Sequence, residues 1–301
     1  MRVQAGWGSH PACGFPGRAG SAHENDWRPP LPNGGFSCKL TRRKRGRRMR
    51  VALIGCMVMN REISHLVARS RNTVRVWWLR QGLHDTPDIL RSELQRTVDE
   101  VERENGLLPE HLRFSAIVLA YGLCSNGVVG LRSRSLPVAV PRCDDCISLF
   151  LGSAERYREL FREMPGAYWY NAGWIEQAFT PSRENYARQR AQYAEEYGEE
   201  NADYLMECTN SWMGKYQRCG FITCPLGDRP EHEGYARQAA EDFGWQFRKV
   251  EGSMEYLDAL VNGPWDDARF LVCPPGGVIE AEFSERKLRC VPAGLDDFAD
   301  G

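Results

Sequence analysis

The residues of this chain best suited to chemistry fall in four short stretches, each just past an apolar run. Cys56 follows "RVALIG", His84 lies in "RQGLHDTP", Cys124 sits in "YGLCSNG", and Cys143, Asp144, Asp145 and Cys146 make up "RCDDC". Three thiols and an imidazole suit a soft or borderline metal. Zinc takes Cys and His tetrahedrally, and a catalytic zinc keeps one position for water or substrate. Three cysteines on separate loops also suit a 4Fe–4S cluster with one open iron. The candidate metal ligands are therefore Cys56, Cys124, Cys146 and His84. His84 doubles as a candidate general acid or base. Asp144 and Asp145 are candidate oxygen ligands, partners for His84 or general bases, with Asp145 the catalytic candidate. The C-x-x-C of Cys143 and Cys146 also reads as a redox pair. Any one such cysteine taken alone reads as a small buried hydrophobe, so the weight rests on their joint placement.

That placement depends on the elements between them. "RVALIG" (50–55) is a continuous apolar run, as expected of a buried strand. A short helix over "MNREISHLVARS" follows, then a strand over "TVRVWWL" (73–79), rich in β-branched and aromatic residues. Thr86 and Pro87 open a long helix, with Thr86 at the N-cap and Pro87 at the first helical position. Leu90, Leu94, Val98 and Val101 form its buried stripe. "SAIVLA" (115–120) and "LPVAVP" (136–141) read as further strands. A helix from about Cys146 or Ser153 to Met164 is expected to bury Tyr157, Leu160 and Phe161. Strand–helix repetition with apolar strands implies a parallel sheet covered on both faces. The four stretches then share the carboxyl edge of one sheet, where ligands bind. Nearby helix N-termini are expected to depress the thiol pKa values.

Beyond residue 165 the theme repeats less regularly. "GAYWYNAGW" reads as a strand plus a loop, and residues 182–216 as polar and helical, with Tyr186, Tyr193 and Tyr197 on one side. Strands are expected over "CGFITC", "WQFRKVEG" and "RFLVCPPGG", with helices over "PEHEGYARQAAEDFG" and "SMEYLDALVNG". No pattern is evident after Phe283. Cys224 and Cys273, also at strand ends, are positioned to face the first site across a cleft. The expected fold is α/β, with two Rossmann-like lobes, mostly parallel sheets and a site in the inter-lobe cleft. The lobes span 49–165 and 166–283, with a helical insertion in the second. Flanking them are a basic extension (1–48) and a tail (284–301).

Composition narrows the function. Residues 1–48 hold ten Lys/Arg against two Asp/Glu, a net +8, which leaves −9 for the rest of a chain whose total is −1. An acidic body argues against phosphate-backbone binding. The basic stretch "TRRKRGRR" precedes "MRVALIGC", which reads as a natural start at Met49, so the extension is expected to be disordered and an over-called start. No apolar run of about 18 residues is present, so no membrane span is expected, and no secretory signal is evident. Nine of the eleven cysteines follow Met49. In the cytoplasmic, reducing setting expected here, cysteine clusters point to metal or redox work rather than structural disulfides. No G-x-G-x-x-G follows the first strand, and neither a Walker loop nor a G-x-S-x-G elbow occurs.

Cys56 after the first strand, "GLHDTP", "YGLCSNG", "PRCDDCISLFLGSAERY", "GWIE" and "DDARFLVCPPG" occur in an order that resembles the prokaryotic domain-of-unknown-function 1638 family, over about Met49 to Phe283. The family pattern has Gly where Ser125 stands and His where Asp144 stands. A family ligand is then a carboxylate here, or that position is not a ligand. The resemblance implies companionship with one-carbon and corrinoid methyl-transfer systems, without a mechanism. The leading expectation is a metal-dependent enzyme acting on a small molecule, with zinc or an iron–sulfur cluster, in methyl or sulfur transfer. The alternatives are a metal- or cofactor-binding accessory protein of a corrinoid or methyltransferase partner, and a thiol redox protein.

Overall fold

The computed structural model describes residues 48–293. The basic extension expected over 1–48 lies, but for Arg48, outside the described residues, as do residues 294–301 of the tail. The first elements are β1 (Arg50–Cys56), α1 (Asn60–Arg69), β2 (Thr73–Leu79), α2 (Pro87–Leu107), β3 (Ala116–Ala120), β4 (Val138–Pro141), α3 (Cys146–Leu151) and α4 (Ala154–Glu163). Then come β5 (Ala167–Tyr170), α5 (Ala172–Gln177), α6 (Arg183–Tyr197), α7 (Glu199–Asn210), β6 (Arg218–Ile222), α8 (Pro230–Phe243), β7 (Gln246–Val250) and α9 (Glu255–Asn262). The chain closes with β8 (Phe270–Cys273), β9 (Gly277–Ala281) and β10 (Leu288–Pro292).

The fold is α/β around a mixed, mostly parallel sheet in the order β2-β1-β3-β4-β8. β1 pairs in parallel with β2 and β3, and β3 with β4, while β8 is antiparallel to β4. The unbroken apolar run of β1 serves both faces. Val51 and Leu53 face the α1 and α9 side with Ile63, Leu66, Leu257 and Leu260. Ala52 and Ile54 face α2 with Leu90, Leu94, Val98 and Val101, the stripe expected from sequence and fully buried. A three-stranded parallel sheet, β5-β6-β7, packs Tyr170 and Phe221 against Ala236, Ala239 and Ala240 of α8. Its Trp169, Ile222 and Val250 join the same core cluster as Val51 and Leu53. No helix of the described residues is long and apolar enough to cross a membrane.

Several local expectations change. Of the two starts the sequence offered for the helix ending at Met164, Cys146 and Ser153, the second holds for α4, which Ser153 caps; Cys146 opens a separate helix, α3, because Gly152 adopts φ 85° between them. Phe161 is 58% exposed rather than buried. The residues after β5 form α5, capped by Asn171, not a loop. Thr86 precedes α2, but its side chain makes no capping bond. β8, read from sequence with the second half, completes the first sheet. The tail holds β10, paired antiparallel to β9. Cys290 of β10 is disulfide-bonded to Cys273 of β8, so Cys273 does not face the first site as a free thiol. Buried Arg142 fastens this corner through the carbonyls of Asp267, Phe270, Arg286 and Leu288.

Candidate functional site

The strand order reverses between β1 and β3: from β1 the chain moves outward to β2, then returns to the other side as β3. In open α/β sheets the crevice at the carboxyl ends beside such a reversal is the usual ligand site. Cys56 ends β1 on one flank of this point, and "YGLCSNG" leaves β3 on the other.

Two features hold Cys124 there. Gly122 lets the chain pass close to the loop after β4; a Cβ at this position would lie 2.7 Å from the Cys143 carbonyl oxygen. Leu123 N–H donates to Cys143 O at 2.9 Å and Cys124 N–H to Asp144 O at 2.8 Å, which lace the two loops together. Cys124, Ser125 and Asn126 then adopt φ of 44°, 57° and 66° in succession. Left-handed backbone costs about 1–2 kcal/mol for an L-residue other than glycine, with Asn the most tolerant.

The structure brings Cys56, Cys124 and Cys146 within electrostatic reach of one another. Burial pushes the Cys124 thiol up to about 12, with the charge of Asp145 adding and Cys56 contributing. Burial also holds Cys146 well above the ordinary thiol range, reinforced by Cys124, Asp145 and Cys56. Cys56 is raised by burial, offset in part by backbone groups of Val58 and Met57 and by the Tyr121 hydroxyl. The expected lowering by helix N-termini is therefore outweighed by desolvation, which disfavours any thiolate in an apolar setting. Cys143 is wholly buried, part of the core on the α1 and α9 side.

Asp145 caps α3, its Oδ1 accepting from Ile147 N–H at 2.9 Å. Burial raises its carboxyl to about 6, although the Ile147 bond and the Tyr157 hydroxyl pull the other way. Asp144 is exposed and pairs with Lys287 at 3.0 Å. His84 lies half-exposed in a turn after β2, where its Nε2 meets Asp85 Oδ1 at 3.4 Å. The partner it meets is a carboxylate and not a thiol. Among the described residues, no group of three or more His, Cys, Asp or Glu is spaced to hold a metal ion.

Sequence reasoning missed Tyr121. Its hydroxyl is buried beside Cys56 without a hydrogen-bond partner of good geometry, and burial with the neighbouring thiols holds it strongly in the neutral form. Its position, first after β3, was the available signal.

An α/β protein with a thiol-lined switch point is thus the class defined by fold and site. The chain belongs to the family described as protein of unknown function (DUF1638), which matches residues 78–261. No curated protein and no solved structure matches it.

Proposed function

We propose that the protein is a metal-dependent enzyme centred on Cys56, Cys124 and Cys146, taking zinc or an iron–sulfur cluster and acting in methyl or sulfur transfer. The observation that carries this reading is the left-handed run Cys124–Asn126, beside which Cys124, Cys56 and Cys146 lie within electrostatic reach of one another. Backbone strain of this kind concentrates at functional sites, and packing alone gives no return for it. The donor set is chemically apt, since soft thiolates suit both groups. No three such side chains among the described residues are placed to hold a metal ion, so loading must draw the thiols together as it deprotonates them. Bound metal would supply a Lewis acid and keep a thiol ionised at neutral pH.

The chain's own groups supply the rest. Asp145, with its carboxyl near 6, is suited to carry a proton at neutral pH. Tyr121 offers its buried hydroxyl toward Cys56 and the neighbouring thiols. His84, on the loop after β2 at the same edge, is the candidate fourth ligand or proton carrier. The two sheets as Rossmann-like lobes, with the site in the cleft between them, belong to the same proposal.

The test is Cys124→Ser, purified without oxygen beside the wild-type protein. The variant is expected to lose metal while keeping its circular dichroism spectrum. Full metal content in the variant would remove Cys124 from the ligand set.

A further inference from the structure

Away from the three thiols, unpartnered buried polar atoms gather where the second sheet meets α1. Cys224 opens the loop after β6. Its thiol donates to Glu62 Oε1 at 3.1 Å, and its backbone N–H donates to Asp228 Oδ2 at 2.9 Å. Glu62 lies in the first turn of α1 and is only 3% exposed. Its second oxygen, Oε2, is buried with no hydrogen-bond partner, and so is Asp228 Oδ1. The neighbouring cation, Arg61, is hydrogen-bonded to Glu176 instead, at 3.4 Å. His232, in the first turn of the helix this loop feeds, is 5% exposed. Its Nε2 also meets Glu176, at 3.2 Å, and its Nδ1 is buried without a partner.

Buried acceptors left unpaired are costly, and native proteins satisfy them with protein, water or ligand. Here the free atoms around Cys224 are two carboxyl oxygens, Glu62 Oε2 and Asp228 Oδ1, and the thiol sulfur, already a donor to Glu62, can still accept. We propose that Glu62, Cys224 and Asp228 form a binding site for a primary ammonium group. Such a group brings three N–H donors and one positive charge, which the two carboxyls and the sulfur can receive together. The spacing favours it over a metal ion. Metal–ligand bonds are about 2.0–2.3 Å and N–H···O bonds about 2.7–3.2 Å, and no three such side chains among the described residues are close enough for the former. The carboxyl of Glu62 agrees: burial raises its pKa, and the charge of Asp228 adds to the effect. A bound cation reverses both, so binding releases a proton wherever Glu62 is still protonated. The proposal uses none of the three thiols and stands whether or not they take metal.

The test titrates methylammonium chloride into the full chain by calorimetry and thermal unfolding. Tetramethylammonium chloride, with the same charge and no N–H donor, is the control. Saturable binding with proton release is expected for methylammonium alone. Glu62→Gln and Asp228→Asn should each weaken it about tenfold, the worth of one charge-assisted hydrogen bond. Should Glu62→Gln not fold, the partly exposed Asp228 carries the test. Equal responses to both cations, an unchanged response in Asp228→Asn, or no saturable binding would each overturn the proposal. In the last case water satisfies the free oxygens.

Discussion

Burial holds the Cys124 thiol near pKa 12, against an ordinary value of 9.0. Its thiolate fraction at neutral pH is then roughly a thousandfold below that of a free thiol. In metal-free protein, iodoacetamide should label exposed Cys208 first and leave buried Cys124 and Cys143 unmodified until unfolding; peptide mapping by mass spectrometry reads the order. Early labelling of Cys124 would contradict its burial. Asp145 gives a second prediction with a definite sign. Its folded pKa of about 6 exceeds the unfolded value, so the carboxyl favours folding below about pH 4 and loses that contribution as pH rises through 6. Asp145→Asn keeps a capping side chain and should gain stability above pH 6, on the order of 1–2 kcal/mol, and little at pH 4. Denaturant melts at the two pH values measure it. These residues were found in sequence by their position after strands. Glu62 and Tyr121 were not, since each carries its meaning only through a neighbour distant in the chain. The one hint was an acidic side chain four residues before Leu66, on the apolar face of α1.

Two elements meet closely because a glycine permits it. A Cβ on Gly173 would fall 1.8 Å from the Val58 carbonyl oxygen, so α5 is pressed onto the turn that follows β1. Gly173→Ala should cost on the order of 2–3 kcal/mol by forcing the two apart, seen as a lower midpoint in urea. A wild-type midpoint would deny the close approach. The opposite result is expected at Ser125. With φ of 57°, this residue occupies a conformation that glycine adopts freely. Ser125→Gly should stabilise the fold by about 1 kcal/mol, read as a higher midpoint in urea. The parallel strands and their shared carboxyl edge were legible because β1–β4 are apolar runs between glycines and helix starts. The break at Gly152 was legible only as a choice between starts at Cys146 and Ser153, because a glycine inside a helical pattern can be tolerated or can end a helix. β10 was not legible, since its "LRCVP" has too few residues to show a period.

At the scale of the whole molecule, the first sheet is assembled from both ends of the described chain. β8 arrives after the second sheet is complete and pairs with β4, and the Cys273–Cys290 disulfide ties β10 to it across 17 residues. Sequence order alone assigns β8 to the second half, since nothing in "FLVC" names its partner strand. Closing a loop of this length is worth about 3 kcal/mol through the unfolded chain. Cys290→Ser should lower stability by up to that amount without moving the thiols at the switch point. The central claim concerns those thiols, and one measurement addresses it most directly: metal analysis with an ultraviolet–visible spectrum of protein purified without oxygen. The account predicts either stoichiometric zinc with a featureless spectrum, or iron and sulfide with broad charge-transfer absorption. No metal, even after reconstitution with zinc or with iron and sulfide, would contradict it and leave Cys124 a packing or redox thiol.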